Sequence, residues 1–356
     1  MSHMFVPGPV DVEEEVLQAQ TRPMLPHRSK DFETIYARAA DKSRQLFLTN
    51  HRVFIMAASG TGLQESAIRN FVNQKVLMCV NGAFAERWLE VALSNQKRAG
   101  KVEFAWDEPI DPTRVVEAFR TGNYEAIAIV HNETSTGMQN PVREVAQSLH
   151  SIAPDALIMV DAVSSLGGAR IEMDGWGLDM VLTSSQKCLA LPPGLALGAV
   201  SDRAMQKAEK VEGRGWYFDL VRMEKHRLKD STPATPAMSL VYALDVQLDR
   251  ILAEGLETRF TRHAAMAKRV QEWAEAHDLS VFAPEGFRSQ TVTTVRNDRG
   301  LDISDLNAYL LKKEMRIANG YGPLKNKTFR IAHMGDTKLE DIEMLLVAME
   351  EYLKGH

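Results

Sequence analysis

Two cysteines in 356 residues are too few for a disulfide framework or a thiolate metal cluster. Both, Cys79 and Cys188, sit in apolar runs and read as buried free thiols, which suits a reducing compartment. Charge of one sign is missing too: 42 Lys and Arg stand against 47 Asp and Glu, a formal net charge of -5. That balance leaves no electrostatic footprint for nucleic acid or an anionic membrane surface. No signal peptide or apolar run of membrane-crossing length is found, nor are repeats or low-complexity tracts. A cytoplasmic location is therefore the expectation. Met1 to Met4 read as a cloning remnant.

What is present is a globular composition, 45% hydrophobic and 25% charged, at a length that suits one large domain and a smaller one. The expected division is an N-terminal arm over 1–20, a large domain over 21–237, and a linker helix with a small domain over 238–356. The arm carries FVPGP, which cannot be regular helix. From Arg52 onward short apolar runs alternate with helical ones. Strands are expected at 53–57, 76–80, 126–130, 156–161, 180–183 and 195–200, and helices at about 63–71, 85–99 and 141–152. Such alternation predicts an α/β fold, a mostly parallel sheet covered by helices on both faces. After Gly213 the stretch WYFDLVRMEKHRLKDSTPATPA reads as an active-site loop. The second part is expected to be α+β, with helices at about 238–252, 258–277, 303–314 and from 339, and strands at 279–282, 291–295 and 328–332.

The chain is organised around LDMVLTSSQKCLALPPGLALG, where Lys187 stands between two apolar runs. Two readings coexist on this stretch alone. It is a surface lysine between strands, or an amine kept neutral by an apolar setting and able to form a Schiff base with an aldehyde. Ser59-Gly60-Thr61-Gly62 follows a strand and opens a helix, which is either an ordinary cap or a phosphate cradle of free N–H groups. No Gly-Lys-Ser/Thr follows, so it is not a Walker loop. Asp161 ends the run ALIMVD, where it either caps the next turn or pairs with a protonated ring nitrogen. Phe84 is a core aromatic or a stacking surface. Thr134 is a turn residue or a partner for a phenolate oxygen. Arg330, between apolar neighbours in TFRIA, requires a carboxylate from protein or substrate. His27 and His131 lack metal-site spacing. In a parallel sheet these motifs fall beyond the carboxyl ends of the strands, where ligands bind.

The order PGP, HRS, ASGTG, NGAFAERW, HNETSTG, VDAVSS, SSQKCLALPPGLA, STPATPA and FRIAHMG resembles the class V, fold type I aminotransferases that use pyridoxal phosphate. The closest resemblance is to the alanine–glyoxylate and serine–pyruvate branch, and it spans essentially the whole chain. It implies a seven-stranded, mostly parallel sheet in the large domain, a smaller α+β domain, and a homodimer with its site at the subunit interface. It implies ping-pong transfer of an amino group from a small amino acid, alanine or serine, to glyoxylate or pyruvate. Lys187 would be the Schiff-base lysine, Asp161 the partner of the pyridine nitrogen, and Phe84 the stacking ring in place of the family's frequent tryptophan. Ser59, Gly60, Thr61, Gln186 and Ser184 would hold the phosphate, Thr134 the ring hydroxyl, and Thr235 would reach the phosphate across the dimer. The neighbouring Thr232 and Ser231 carry no settled role. Arg330 would clamp the substrate carboxylate and Gly8 would line its pocket.

Three other chemistries sit on such a fold. A phosphonate or phosphorylated donor would need extra cations, which Arg222, Lys225, His226 and Arg227 offer. A lyase needs only different pocket groups. A cysteine desulfurase needs a reactive loop cysteine, and none follows Cys188. A non-enzymatic subunit on this fold would leave Lys187, Asp161 and Arg330 without a common purpose.

Overall fold

The computed structural model describes residues 3–355. Met1 and Ser2 of the expected remnant lie outside the described residues, whereas His3 and Met4 belong to a strand. In chain order the strands are β1 (His3–Phe5), β2 (Arg52–Ala57), β3 (Lys75–Val80), β4 (Arg98–Glu103), β5 (Ala126–Val130), β6 (Asn132–Glu133), β7 (Met138–Gln139), β8 (Leu157–Asp161), β9 (Met180–Ser184), β10 (Leu195–Val200), β11 (Val292–Arg296), β12 (Met315–Asn319) and β13 (Thr328–Ala332).

One sheet has seven strands in the order β2-β10-β9-β8-β5-β3-β4. Only β10 runs against its neighbours β2 and β9, and the remaining pairs are parallel. The central strands β5, β8, β9 and β10 are buried along their whole length. Their unbroken apolar runs reflect burial on both faces, since helices cover each side. Tyr36, Leu46, Ile129 and Leu248 pack on one face, and Ile68, Phe71, Trp88 and Met159 on the other.

A second sheet, β1-β12-β13-β11, backs onto the helices Leu256–Ala276 and Leu339–Gly355 through Trp273, Phe329, Ile331 and Leu345. Here β1 joins parallel to β12 while the other pairs are antiparallel. The N-terminal arm is thus stitched into the second sheet before it crosses to the first. The architecture is the expected α/β fold with a smaller α+β portion.

Several elements differ from the sequence reading. The helix expected over 85–99 stops at Ser94, and the edge strand β4 follows. RAGKVE carries little apolar alternation because only Val102 of β4 is buried, so no strand period is visible. The strand expected over 279–282 reduces to a single bridge, Val281 to Val295. The helix Pro112–Arg120 and β12 were not expected. The stretch after Gly213 is not loop throughout: it contains the helix Leu220–Arg227, with Leu220 and Met223 buried. Asp219 caps that helix by accepting from the N–H of Val221 at 2.9 Å and of Arg222 at 3.2 Å, a start signal hidden among charged neighbours.

Candidate active site

The carboxyl ends of β5, β8 and β9 open into a pocket of about 200 Å³ lined by Ser59, Gly60, Thr61, Phe84, Thr134, Asp161, Ser184, Gln186 and Lys187, with Gln64, Arg87 and Asn132 among the rest. Nine residues singled out from the sequence therefore share one cavity.

Asp161, last residue of β8, is 4% exposed. Its carboxylate accepts from the Val163 N–H at 2.8 Å and from the Gln64 amide at 2.6 Å. Burial pushes it up to about 6, against those hydrogen bonds and the opposing pull of Lys187. Gln64 went unnoticed in the sequence: it lies one turn into the helix Gly60–Phe71, whose N-terminus faces the same pocket. Ser59 caps that helix by accepting from the Gly62 N–H at 3.3 Å. At Gly60 a Cβ would fall 2.4 Å from Val163 Cγ2, so the helix start packs against this pocket-lining side chain with no room for a larger residue unless Val163 shifts. Ser184 ends β9, and its buried hydroxyl has no hydrogen-bond partner.

Lys187 is held by the turn that joins β9 to β10. Ser185 donates its hydroxyl to the Pro192 carbonyl at 2.7 Å, and the Lys187 carbonyl accepts from the Ala190 N–H at 2.8 Å. Its ammonium donates to the Pro7 carbonyl of the arm. A Cβ on Gly8 would lie 2.7 Å from Lys187 Nζ, in a backbone with φ of +100°, so the arm lies directly on the lysine. Burial first, and then the charge of Arg330, lowers its pKa to about 8. Behind it Cys188 packs with Val10, Val292 and Met334. Burial pushes the Cys188 thiol up to about 11 and that of Cys79 to about 12, which makes both inert as nucleophiles.

Arg330 enters from β13 of the second sheet and bridges to the first, donating to the Thr134 carbonyl at 3.3 Å and the Asn319 carbonyl at 3.1 Å. Burial lowers its pKa to about 10. The Thr134 hydroxyl donates to Ser164 at 2.8 Å. Phe84 opens the helix Ala83–Ser94, whose first N–H groups rest on the buried Glu133 carboxylate: Phe84 and Ala85 donate to it at 3.1 Å each. Thr235 is exposed and lines no part of this pocket. Neither do Arg222, Lys225, His226 and Arg227: Arg222 lies over the Trp216 ring and Arg227 pairs with Glu224 at 2.6 Å. His131 is buried with its ring against the Ser165 hydroxyl at 3.0 Å, and no metal cluster occurs among the described residues.

These features fit pyridoxal phosphate on the structure's own terms. A glycine-built helix N-terminus, an unpartnered buried hydroxyl, a buried carboxylate aimed by two donors and a depressed lysine surround one cavity. The chain is a pyridoxal-phosphate-dependent aminotransferase of fold type I. Its fold matches the solved alanine–glyoxylate aminotransferase of Nostoc with a TM-score of 0.94 and 28% identity, over 99% of this chain and 95% of that one. It belongs to the aminotransferase class-V family, whose pattern matches residues 11–343. Among its relatives, the L-aspartate–glyoxylate aminotransferase of Paracoccus denitrificans is 34% identical, over 93% of this chain and 86% of that one. The serine–glyoxylate aminotransferase of Methylorubrum extorquens is 32% identical over 97% and 88%.

Proposed function

We propose that this enzyme moves the amino group of a small amino acid, with alanine and serine as donors, to a small 2-oxo acid, glyoxylate before pyruvate. One observation carries the reading: Asp161, at the end of β8, and Lys187, three residues past the end of the adjacent parallel strand β9, line one pocket, and Arg330 of the other sheet reaches the carbonyl of Thr134, which lines that pocket too. Glyoxylate is the acceptor shared by the three proteins compared above, while their donors differ.

Pyridoxal phosphate, when bound, supplies an aldehyde for amines to condense with and a ring that accepts electrons released at the substrate Cα. In this proposal Ser59, Gly60 and Thr61, with the helix N-terminus behind them, hold its phosphate together with Ser184 and Gln186. Asp161 keeps a proton on the ring nitrogen. Phe84 covers the ring face, and Thr134 stands at the ring hydroxyl. Lys187, partly neutral near pH 8, first attacks as an amine and then carries the Cα proton on its Nζ. Arg330 fixes the α-carboxylate with its fork of donors and so orients the Cα–H bond. Gly8 and the arm close the cavity over the lysine.

We infer further a homodimer, in which Thr235 of one copy reaches the phosphate of the other, and a cytoplasmic location. No helix among the described residues is long and apolar enough to cross a membrane. The test is a coupled assay of alanine, serine, aspartate and 2-aminoethylphosphonate against glyoxylate and pyruvate. Alanine or serine turnover with glyoxylate is expected. Turnover confined to the phosphonate donor would overturn the reading, and the Arg222–Arg227 helix would then have to serve a neighbouring copy.

A further inference from the structure

Arg87 belongs to the helix Ala83–Ser94, lines the pocket, and has no ion-pair partner among the described residues. Its guanidinium lies 4.9 Å over the Phe84 ring and donates to the Tyr321 hydroxyl at 2.9 Å. The Tyr321 ring in turn sits 5.5 Å from Phe84, and the Arg330 guanidinium lies 5.5 Å over it. Arg87 thus lines the pocket, and Arg330, which reaches the carbonyl of the pocket-lining Thr134, shares the Tyr321 side chain with it.

Arg330 is 8% exposed and likewise lacks a carboxylate partner; its two described hydrogen bonds go to backbone carbonyls. A guanidinium buried without an anion is costly, and a fork of five donors matches a carboxylate. A single monocarboxylate donor satisfies one of the two forks. It leaves the other facing only a ring and a phenol hydroxyl.

We propose that Arg87 is a specificity-determining residue that binds the distal carboxylate of a dicarboxylic amino donor of the aspartate class, while Arg330 takes its α-carboxylate. This rests on the transaminase reading above and extends its donor set. Tyr321 is the spacer: its hydroxyl aims the Arg87 fork and its ring supports Arg330. The exchange is balanced without any added oxidant. The donor gives up its amino group and α-hydrogen and leaves as a 2-oxo dicarboxylic acid, and glyoxylate trades its carbonyl oxygen for them and leaves as glycine.

The experiment compares kcat/KM for aspartate with that for alanine in the holoenzyme and in Arg87→Gln, Arg87→Lys and Tyr321→Phe. Using the ratio cancels any loss of folded enzyme. Aspartate is expected to equal or exceed alanine in the unaltered enzyme. Arg87→Gln should lower the ratio about 100-fold, equivalent to about 2.7 kcal/mol. Arg87→Lys, with charge but no fork, should lower it less, and Tyr321→Phe less still. Calorimetric titration with succinate and with propionate gives a readout free of turnover: Arg87→Gln should weaken succinate tenfold or more relative to propionate. A ratio that stays within threefold in Arg87→Gln, or an enzyme that turns over alanine and not aspartate, overturns the assignment while leaving the transaminase reading intact. Absence of turnover with every donor would instead strike that underlying reading.

Discussion

The floor and the mouth of the pocket are built on opposite principles. On the floor the groups that would orient a ring are held within the chain, since Asp161 holds two donors, Ser59 caps its helix and Thr134 bonds Ser164, while the Ser184 hydroxyl and the Gln64 and Asn132 amide oxygens are left open. At the mouth the charged groups lack theirs, since Arg330 and Arg87 have only backbone carbonyls, rings and a phenol hydroxyl. A floor whose main groups are already held in place, with a few neutral polar atoms open, is preorganised for a resident group that stays through every cycle. An unsatisfied mouth is suited to anions that come and go, because the fork regains its partner each time one binds.

The severest way to break this contrast is to remove the group that spans both regions. Lys187→Ala should cut turnover by about 10⁴-fold or more, at the upper end for loss of an acid–base and nucleophilic group. Borohydride should then no longer fix the cofactor to the chain by mass spectrometry. Turnover and fixation both surviving would mean another amine does the work.

Confined to the mouth, Arg330→Gln should raise KM for every amino donor by about 30- to 100-fold, or roughly 2–3 kcal/mol for a charge-assisted hydrogen-bonded pair. Cofactor retention on dialysis should change far less than KM does, because the floor is intact. If retention collapses as much as KM, the two regions are not separable.

The mildest test is pH. Lys187 is held near 8 instead of 10.5, with burial first and Arg330 second as causes. The rate at which cofactor-free enzyme captures added pyridoxal phosphate should fall about tenfold per unit below pH 7 and level off above about pH 9. The sign for stability follows from the same shift: the folded chain binds fewer protons than the unfolded one between about pH 8 and 10.5, so the contribution of Lys187 rises with pH across that window. Arg330→Gln should move the break upward by removing a neighbouring positive charge.

Much of the floor was legible in the sequence because its residues follow apolar strands at fixed places. Asp161 ends β8, Ser184 ends β9 with Lys187 three residues on, and Ser59 starts a helix after β2, so strand period and cap chemistry both point at them. Other parts were less legible. Arg87 at the mouth and Gln64 beside Asp161 on the floor sit on helices, where a polar residue facing a pocket looks like one facing solvent. Tyr321 comes from an irregular turn before the short 3₁₀ segment Gly322–Leu324, whose position depends on the unexpected strand β12. Their meeting depends on packing between two sheets, which no local pattern encodes.

The pairing of β1 with β12 has a consequence for the order in which the enzyme is made. Their partners, His3 and Met315, are separated by nearly the whole chain, so the arm that covers Lys187 cannot take its place until β12 has left the ribosome. Contacts at such separation form late and slowly. Until then the cavity over Lys187 has no roof, and the finished pocket belongs to the completed chain rather than to its growing fragment.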